Sequence, residues 1–134
     1  MKAAVLPNLD KRGAADVVMR LSEILKNEEI EAFLPEGMNF AGFKQLPEEQ
    51  LYKAADIIIT IGGDGTIIRY AKRAAFDNKP VLGINAGRVG YLANIEQNEL
   101  ELLHKLKQKE YFVEKRMMLS VTVFENGRRL GEYL

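Results

Sequence analysis

Four stretches of this chain are apolar with little interruption, and between them apolar residues recur at helical spacing. Residues 2–7 (KAAVLP) and 30–34 (IEAFL) predict short buried strands. Between them Ala14, Val17, Val18, Leu21, Ile24 and Leu25 share one helical face, which predicts an amphipathic helix ending near Asn27. Residues 37–45 (GMNFAGFKQ) show no period and predict a loop, after which Pro47 suits the first turn of a short helix through Tyr52. Residues 56–61 (DIIITI) carry four isoleucines almost without alternation, the pattern of a parallel strand covered on both faces. Ile67, Ile68, Ala71, Ala74 and Ala75 predict a helix from about Thr66 to Asp77 or Asn78, and Lys79-Pro80 resets the chain for a strand over 81–85 (VLGIN). A last helix is expected over 98–108, with Leu100, Leu103 and Leu106 inward.

From Met118 the texture changes. Residues 119–124 (LSVTVF) alternate, 125–127 (ENG) signal a turn, and 128–134 (RRLGEYL) read as a returning strand. The expected fold is therefore α/β: an open, mostly parallel, Rossmann-like sheet with helices on both faces over residues 1–115. Residues 116–134 are expected to be the first β-hairpin of a second, β-rich domain. In such sheets ligands bind at the carboxyl ends of the strands.

Composition narrows the function classes. The chain has 134 residues, 47% hydrophobic and 28% charged, as an ordinary globular domain does. Lysine plus arginine and aspartate plus glutamate number 19 each, so no global field recruits nucleic acid or an anionic membrane. Any anion site must be local. With no cysteine there is no disulfide, thiolate metal site or thiol nucleophile, which fits a reducing cytoplasm. The N-terminal AAVLP is too brief for a signal-peptide core and no apolar run reaches membrane-spanning length, so a soluble, cytoplasmic protein is expected. The single histidine, His104, has no second histidine to partner it, and a solvated or capping role is expected.

The candidate chemistry sits in residues 61–70 (IGGDGTIIRY). Neither a Walker loop nor the third glycine of a dinucleotide fingerprint is present. What remains is a strand, a glycine turn and a helix start, where backbone amides and the helix dipole favour an anion. Gly62, Gly63 and Gly65 are expected to permit unusual backbone angles and a close approach of phosphate, with Thr66 as helix cap. A tight turn before a capped helix accounts for the same residues. Two features tilt the balance. Arg69, read as lying in the first helical turn, opposes the dipole by up to about 1 kcal/mol unless an anion is bound. Asp64 would repel a phosphate unless it held a hydroxyl, a metal or both, and a carboxylate beside a phosphate site can accept the proton of an attacking hydroxyl. A second glycine loop, residues 83–92 (GINAGRVGYL), offers Asn85 as donor or acceptor, Arg88 for phosphate and Tyr91 for stacking. Each of these three residues can equally be loop packing; it is the pairing of the two loops that favours a site.

Residues 61–74 (IGGDGTIIRYAKRA) followed by 80–95 (PVLGINAGRVGYLANI) resemble the NAD kinases, which phosphorylate the adenosine ribose 2′-hydroxyl of NAD to give NADP. The opening KAAVLPN and the FLPE strand are similar too, so the resemblance covers nearly the whole chain. GGDGT alone is shared with diacylglycerol and sphingosine kinases; the second loop discriminates. There Val89 stands for the leucine and Tyr91 for the phenylalanine of the family's G-x-N-x-G-x-L-G-F pattern. The resemblance implies Asp64 as proton acceptor, Asp64 and Gly65 in contact with the dinucleotide, Arg69 as a basic residue toward the ligand, and Tyr91 near the adenine; Gly63, Thr66 and Asn85 join the expected binding residues from the chemistry of the two loops. It implies ATP or polyphosphate as donor with a divalent metal such as Mg²⁺, no metal site built by this chain, and a homo-oligomer in the full-length parent. Family members continue into a β-rich domain bearing an Asn-Glu or Asn-Asp pair, so little turnover is expected from these 134 residues alone. A lipid kinase and a non-catalytic nucleotide-binding module are the alternatives.

Overall fold

The structure, a computed structural model, describes residues 1–88 and 90–134; Val89 lies outside them. Six strands form one parallel sheet: β1 (Lys2–Pro7), β2 (Glu31–Pro35), β3 (Lys44–Leu46), β4 (Ile57–Gly62), β5 (Val81–Asn85) and β6 (Ile95–Glu96). Their spatial order is β3-β2-β1-β4-β5-β6. The chain builds outward from β1 in one direction, then returns to place β4 on its other side. The β1/β4 junction is thus the point where the order reverses, and loops leaving the two strands diverge there to open a crevice.

Both faces of the sheet are covered, as the unbroken isoleucine run requires. Helix α1 (Ala14–Asn27) presents Val17, Val18, Leu21 and Leu25 to Ala3, Val5, Ile57, Ile59 and Ile61. A 3₁₀ turn (Leu100–Leu103) leading into α4 (His104–Gln108) packs Leu100, Leu103 and Leu106 into that same layer. On the opposite face α2 (Glu48–Ala54) and α3 (Asp64–Phe76) bury Leu51, Tyr52, Tyr70 and Ala74 against Ala4, Leu6, Phe33 and Ile58. Burial pushes the Tyr52 phenol up to about 12, and the Arg73 guanidinium lies 5.8 Å over its ring.

Several boundaries differ from the sequence reading. The segment expected to be a loop ends in β3, and β6 was not expected; at three and two residues, neither is long enough to show a period. The helix expected over 98–108 starts as a 3₁₀ turn. Pro47 is the N-cap of α2 and not its first residue, because its ψ of 139° keeps it extended. The expected hairpin is present as β7 (Val121–Glu125) and β8 (Arg128–Tyr133), antiparallel with a register shift at Val123/Phe124. It forms its own two-stranded sheet with Val121, Phe124, Leu130 and Tyr133 all exposed. No helix among the described residues is long and apolar enough to cross a membrane.

Thr60, in the middle of β4, is fully buried, and its hydroxyl has no hydrogen-bond partner among the described residues. An unpaired buried hydroxyl costs stability, whereas an apolar group of the same shape does not. Thr60→Val is expected to raise the stability of the chain by up to about 1 kcal/mol in urea titration. A lower stability would show that the hydroxyl is bonded in solution.

Candidate functional site

The site is made by register. Gly62, the last residue of β4, pairs with Asn85, the last residue of β5, and the Ala86 amide donates to the Gly62 carbonyl at 3.0 Å. The two glycine loops therefore leave the sheet side by side, at the carboxyl ends of adjacent strands.

The first loop is short. Gly63 is extended (φ −110°, ψ −170°) and serves as the N-cap of α3, with no side-chain capping bond. The helix begins at Asp64, two residues before the expected start, and this corrects two expectations. Thr66 is not the cap: it is the third helical residue, buried, with its hydroxyl 3.5 Å from the Asn8 side-chain amide. Arg69 is the sixth helical residue, beyond the turn in which the dipole penalty acts. Its guanidinium is held 5.3 Å over the Tyr70 ring. Nor do the three glycines adopt left-handed backbone angles. Gly62 is needed for packing, since a Cβ there would lie 2.8 Å from the Thr66 Cβ, but Gly63 and Gly65 face open space.

The second loop is stitched down at both ends. At its start the Asn85 side-chain oxygen Oδ1 accepts from the Gly87 amide at 3.2 Å. At its end Asn94 accepts from the Gly83 amide at 2.8 Å and donates its own amide to the Gly83 carbonyl at 2.9 Å. Asn85 is 1% exposed, and its side-chain amide donates to the Glu96 carboxylate at 2.9 and 3.2 Å. Its contribution is to hold the loop from beneath, since its side chain is not on the loop surface. Tyr91, by contrast, is 96% exposed, an aromatic ring with nothing covering it. Arg88 is also exposed.

The loops meet at Asp64. Its Oδ1 accepts from the Tyr91 amide at 3.1 Å and the Leu92 amide at 3.0 Å, and its Oδ2 from the Tyr91 amide at 3.0 Å. These bonds, Tyr91 first and Leu92 second, hold the carboxyl below the usual carboxylate range. Asp64 is therefore a fixed, ionised carboxylate. Oδ1 carries two bonds and Oδ2 one, so Oδ2 keeps the greater capacity to accept a proton.

The expected site residues fall into two groups, one on each side of the start of α3. Asp64 and Tyr91 lie toward β5. Gly65, Thr66 and Arg69 line a cleft of about 390 Å³ toward β1, together with Pro7, Asn8, Asp10, Glu48 and Tyr70 among others. That cleft lies at the point where the strand order reverses. The sequence reading did not single out Asn8 or Asp10, although both follow directly on the first strand, where such folds bind ligands. Among the described residues no group of three histidine or carboxylate side chains is placed to hold a metal.

A family model described as the ATP-NAD kinase N-terminal domain matches residues 4–111. The NAD kinase of Natranaerobius thermophilus is 35% identical over 133 residues, covering 96% of this chain and 46% of that protein. The NAD kinase of Thermoanaerobacter sp. (strain X514) is 33% identical, with 96% and 47% covered, and that of Pseudomonas fluorescens 31%, with 96% and 45%. The chain spans about half the length of the curated relatives it matches. The match extends across both glycine loops, the strands that carry them and the helix between, so the chain belongs to the ATP-NAD kinase family, as its N-terminal domain.

Proposed function

We propose that the protein to which this domain belongs is an NAD kinase that transfers the γ-phosphoryl group of ATP, or of polyphosphate, to the adenosine ribose 2′-hydroxyl of NAD. The observation that carries this reading is the juxtaposition of Asp64 with the second loop: a fixed carboxylate beside an exposed aromatic ring. Tyr91 stacks on the adenine and so places the attached ribose beside Asp64. The 2′-hydroxyl proton passes to Asp64 Oδ2 as the ribose oxygen bonds to the γ-phosphorus. The bond from that phosphorus to the bridging oxygen breaks, and its electron pair leaves with ADP.

The donor occupies the cleft on the β1 side. Gly63 and Gly65 leave the backbone at the start of α3 open to a phosphate, and Arg69 supplies the cation. Asp10 and Glu48 on the same walls disfavour bare phosphate and suit the metal of a Mg–ATP complex. The start of α3 thus borders both ligands, with Asp64 on the acceptor side and Gly65 on the donor side. Residues 116–134 are the first strands of a second, β-rich domain, which covers the apolar hairpin and completes the dinucleotide site. The parent is cytoplasmic, as the absence of cysteine favours, and assembles as a homo-oligomer.

Incubating the full-length parent with NAD, ATP and Mg²⁺ is expected to yield NADP and ADP in equal amounts. Phosphorylation of diacylglycerol with NAD untouched would overturn the reading, as would no phosphoryl transfer at all. Calorimetric titration of the 134-residue chain with Mg–ATP and with NAD is expected to show the donor binding and the acceptor binding only weakly.

A further inference from the structure

The Asp64 clamp depends on a residue that touches no ligand in the reading above. Gly90 precedes the two clamping amides, and space demands glycine there. A Cβ at Gly90 would lie 2.4 Å from Asp64 Oδ1 and 3.0 Å from its Cγ, closer than real Cβ contacts come. The obstacle is the carboxylate itself, which cannot swing aside without giving up the Tyr91 and Leu92 amides. Gly87, in the same loop, has nothing within 4 Å of a Cβ. The loop is anchored through Asn85 at one end and Asn94 at the other.

We infer that Gly90 is a positioning residue for the phosphoryl transfer: by lacking a side chain it lets the second loop close on Asp64 and fix the carboxylate that receives the hydroxyl proton. The inference rests on the kinase reading for its consequence but not for its contact. A bond made at 3.0 Å by two successive amides fixes both the distance and the plane of the carboxylate, and displacing a catalytic group by about 1 Å can cost roughly a hundredfold in rate.

Three measurements separate contact from consequence. In the 134-residue chain, Gly90→Ala is expected to lower the Tm, and the same change in an Asp64→Ala background is expected to cost markedly less, because the colliding carboxylate is gone. Should Gly90→Ala fail to fold, recovery of folding in the double variant gives the same answer. In the full-length parent, Gly90→Ala is expected to reduce kcat by roughly a hundredfold with a much smaller change in the KM for ATP, while Gly87→Ala has the lesser effect. Carboxyl NMR of Asp64 in Gly90→Ala is expected to show titration moved up toward the ordinary range, which a purely structural role would not produce. Equal Tm losses in both backgrounds would overturn the contact. A kcat like that of wild type, with the contact verified, would overturn the positioning role. A parent that makes no NADP would remove the kinase reading and leave the Tm comparison to decide the contact.

Discussion

Asp64→Asn in the full-length parent is expected to lower kcat by about 10²–10⁴-fold, the range that a positioned general base supplies. The carboxamide keeps the size of the carboxylate but loses the charge and one acceptor oxygen. One of its two positions on the clamp becomes an NH₂ group facing the Tyr91 amide, donor against donor. It therefore removes the base and loosens the loop together, and the KM for NAD should rise less than kcat falls. Steady-state kinetics with NAD varied separate the two effects, and an asparagine variant turning over like wild type would remove Asp64 from the chemistry.

The same residue sets a pH expectation. Hydrogen bonds from Tyr91 and Leu92 depress the Asp64 pKa in the folded state. A group depressed on folding contributes stability that is present above its unfolded value, about 3.9 for aspartate, and lost as pH falls through the folded value. At neutral pH Asp64 is fully ionised and its contribution is intact. Any loss of rate near neutrality accordingly belongs to another group. A depressed pKa also makes Asp64 a weak base in the ground state. That suits phosphoryl transfer, whose loose transition state asks little of the nucleophile until the bond to phosphorus has begun to form.

What the sequence disclosed follows from which forces are local. β1, α1, β4 and β5 are written in runs and periods that any observer of hydrophobicity can read, because each buries many residues in a regular array. β3 and β6 are sheet-edge strands, too short for a period, and owe their existence to neighbours already in place. The start of α3 is not legible in the sequence because Thr66 is a good cap by type, yet Gly63 is the residue in extended conformation and Thr66 is buried beside Asn8 instead. The clamp itself joins Asp64 to residues 27 and 28 positions later, and only the pairing of Gly62 with Asn85 brings them into contact. Two glycine loops of matching chemistry were visible in the sequence. That one of them grips the carboxylate of the other was not.

Gly65→Ala is expected to leave the domain as stable as before or more so, and to abolish donor binding. Glycine within a helix is less favourable than alanine by about 0.5–1 kcal/mol, and Gly65 is the second residue of α3. Its φ is not left-handed, and a Cβ placed on it meets nothing within 4 Å. Neither backbone geometry nor packing asks for glycine, in contrast to Gly62, whose added Cβ would run into Thr66. On the donor-cleft proposal, what glycine leaves open there is the approach of a phosphate. A methyl group over the first turn of α3 stands between a phosphate oxygen and the amides that would receive it, at the mouth of the cleft that Gly65 shares with Arg69. Thermal melting and calorimetric titration with Mg–ATP read the two effects independently on one variant. A higher Tm with binding lost is the signature of a position where stability is given up for a ligand; a higher Tm with binding retained would show that Gly65 has no part in holding the donor and would move the phosphate site elsewhere along the cleft.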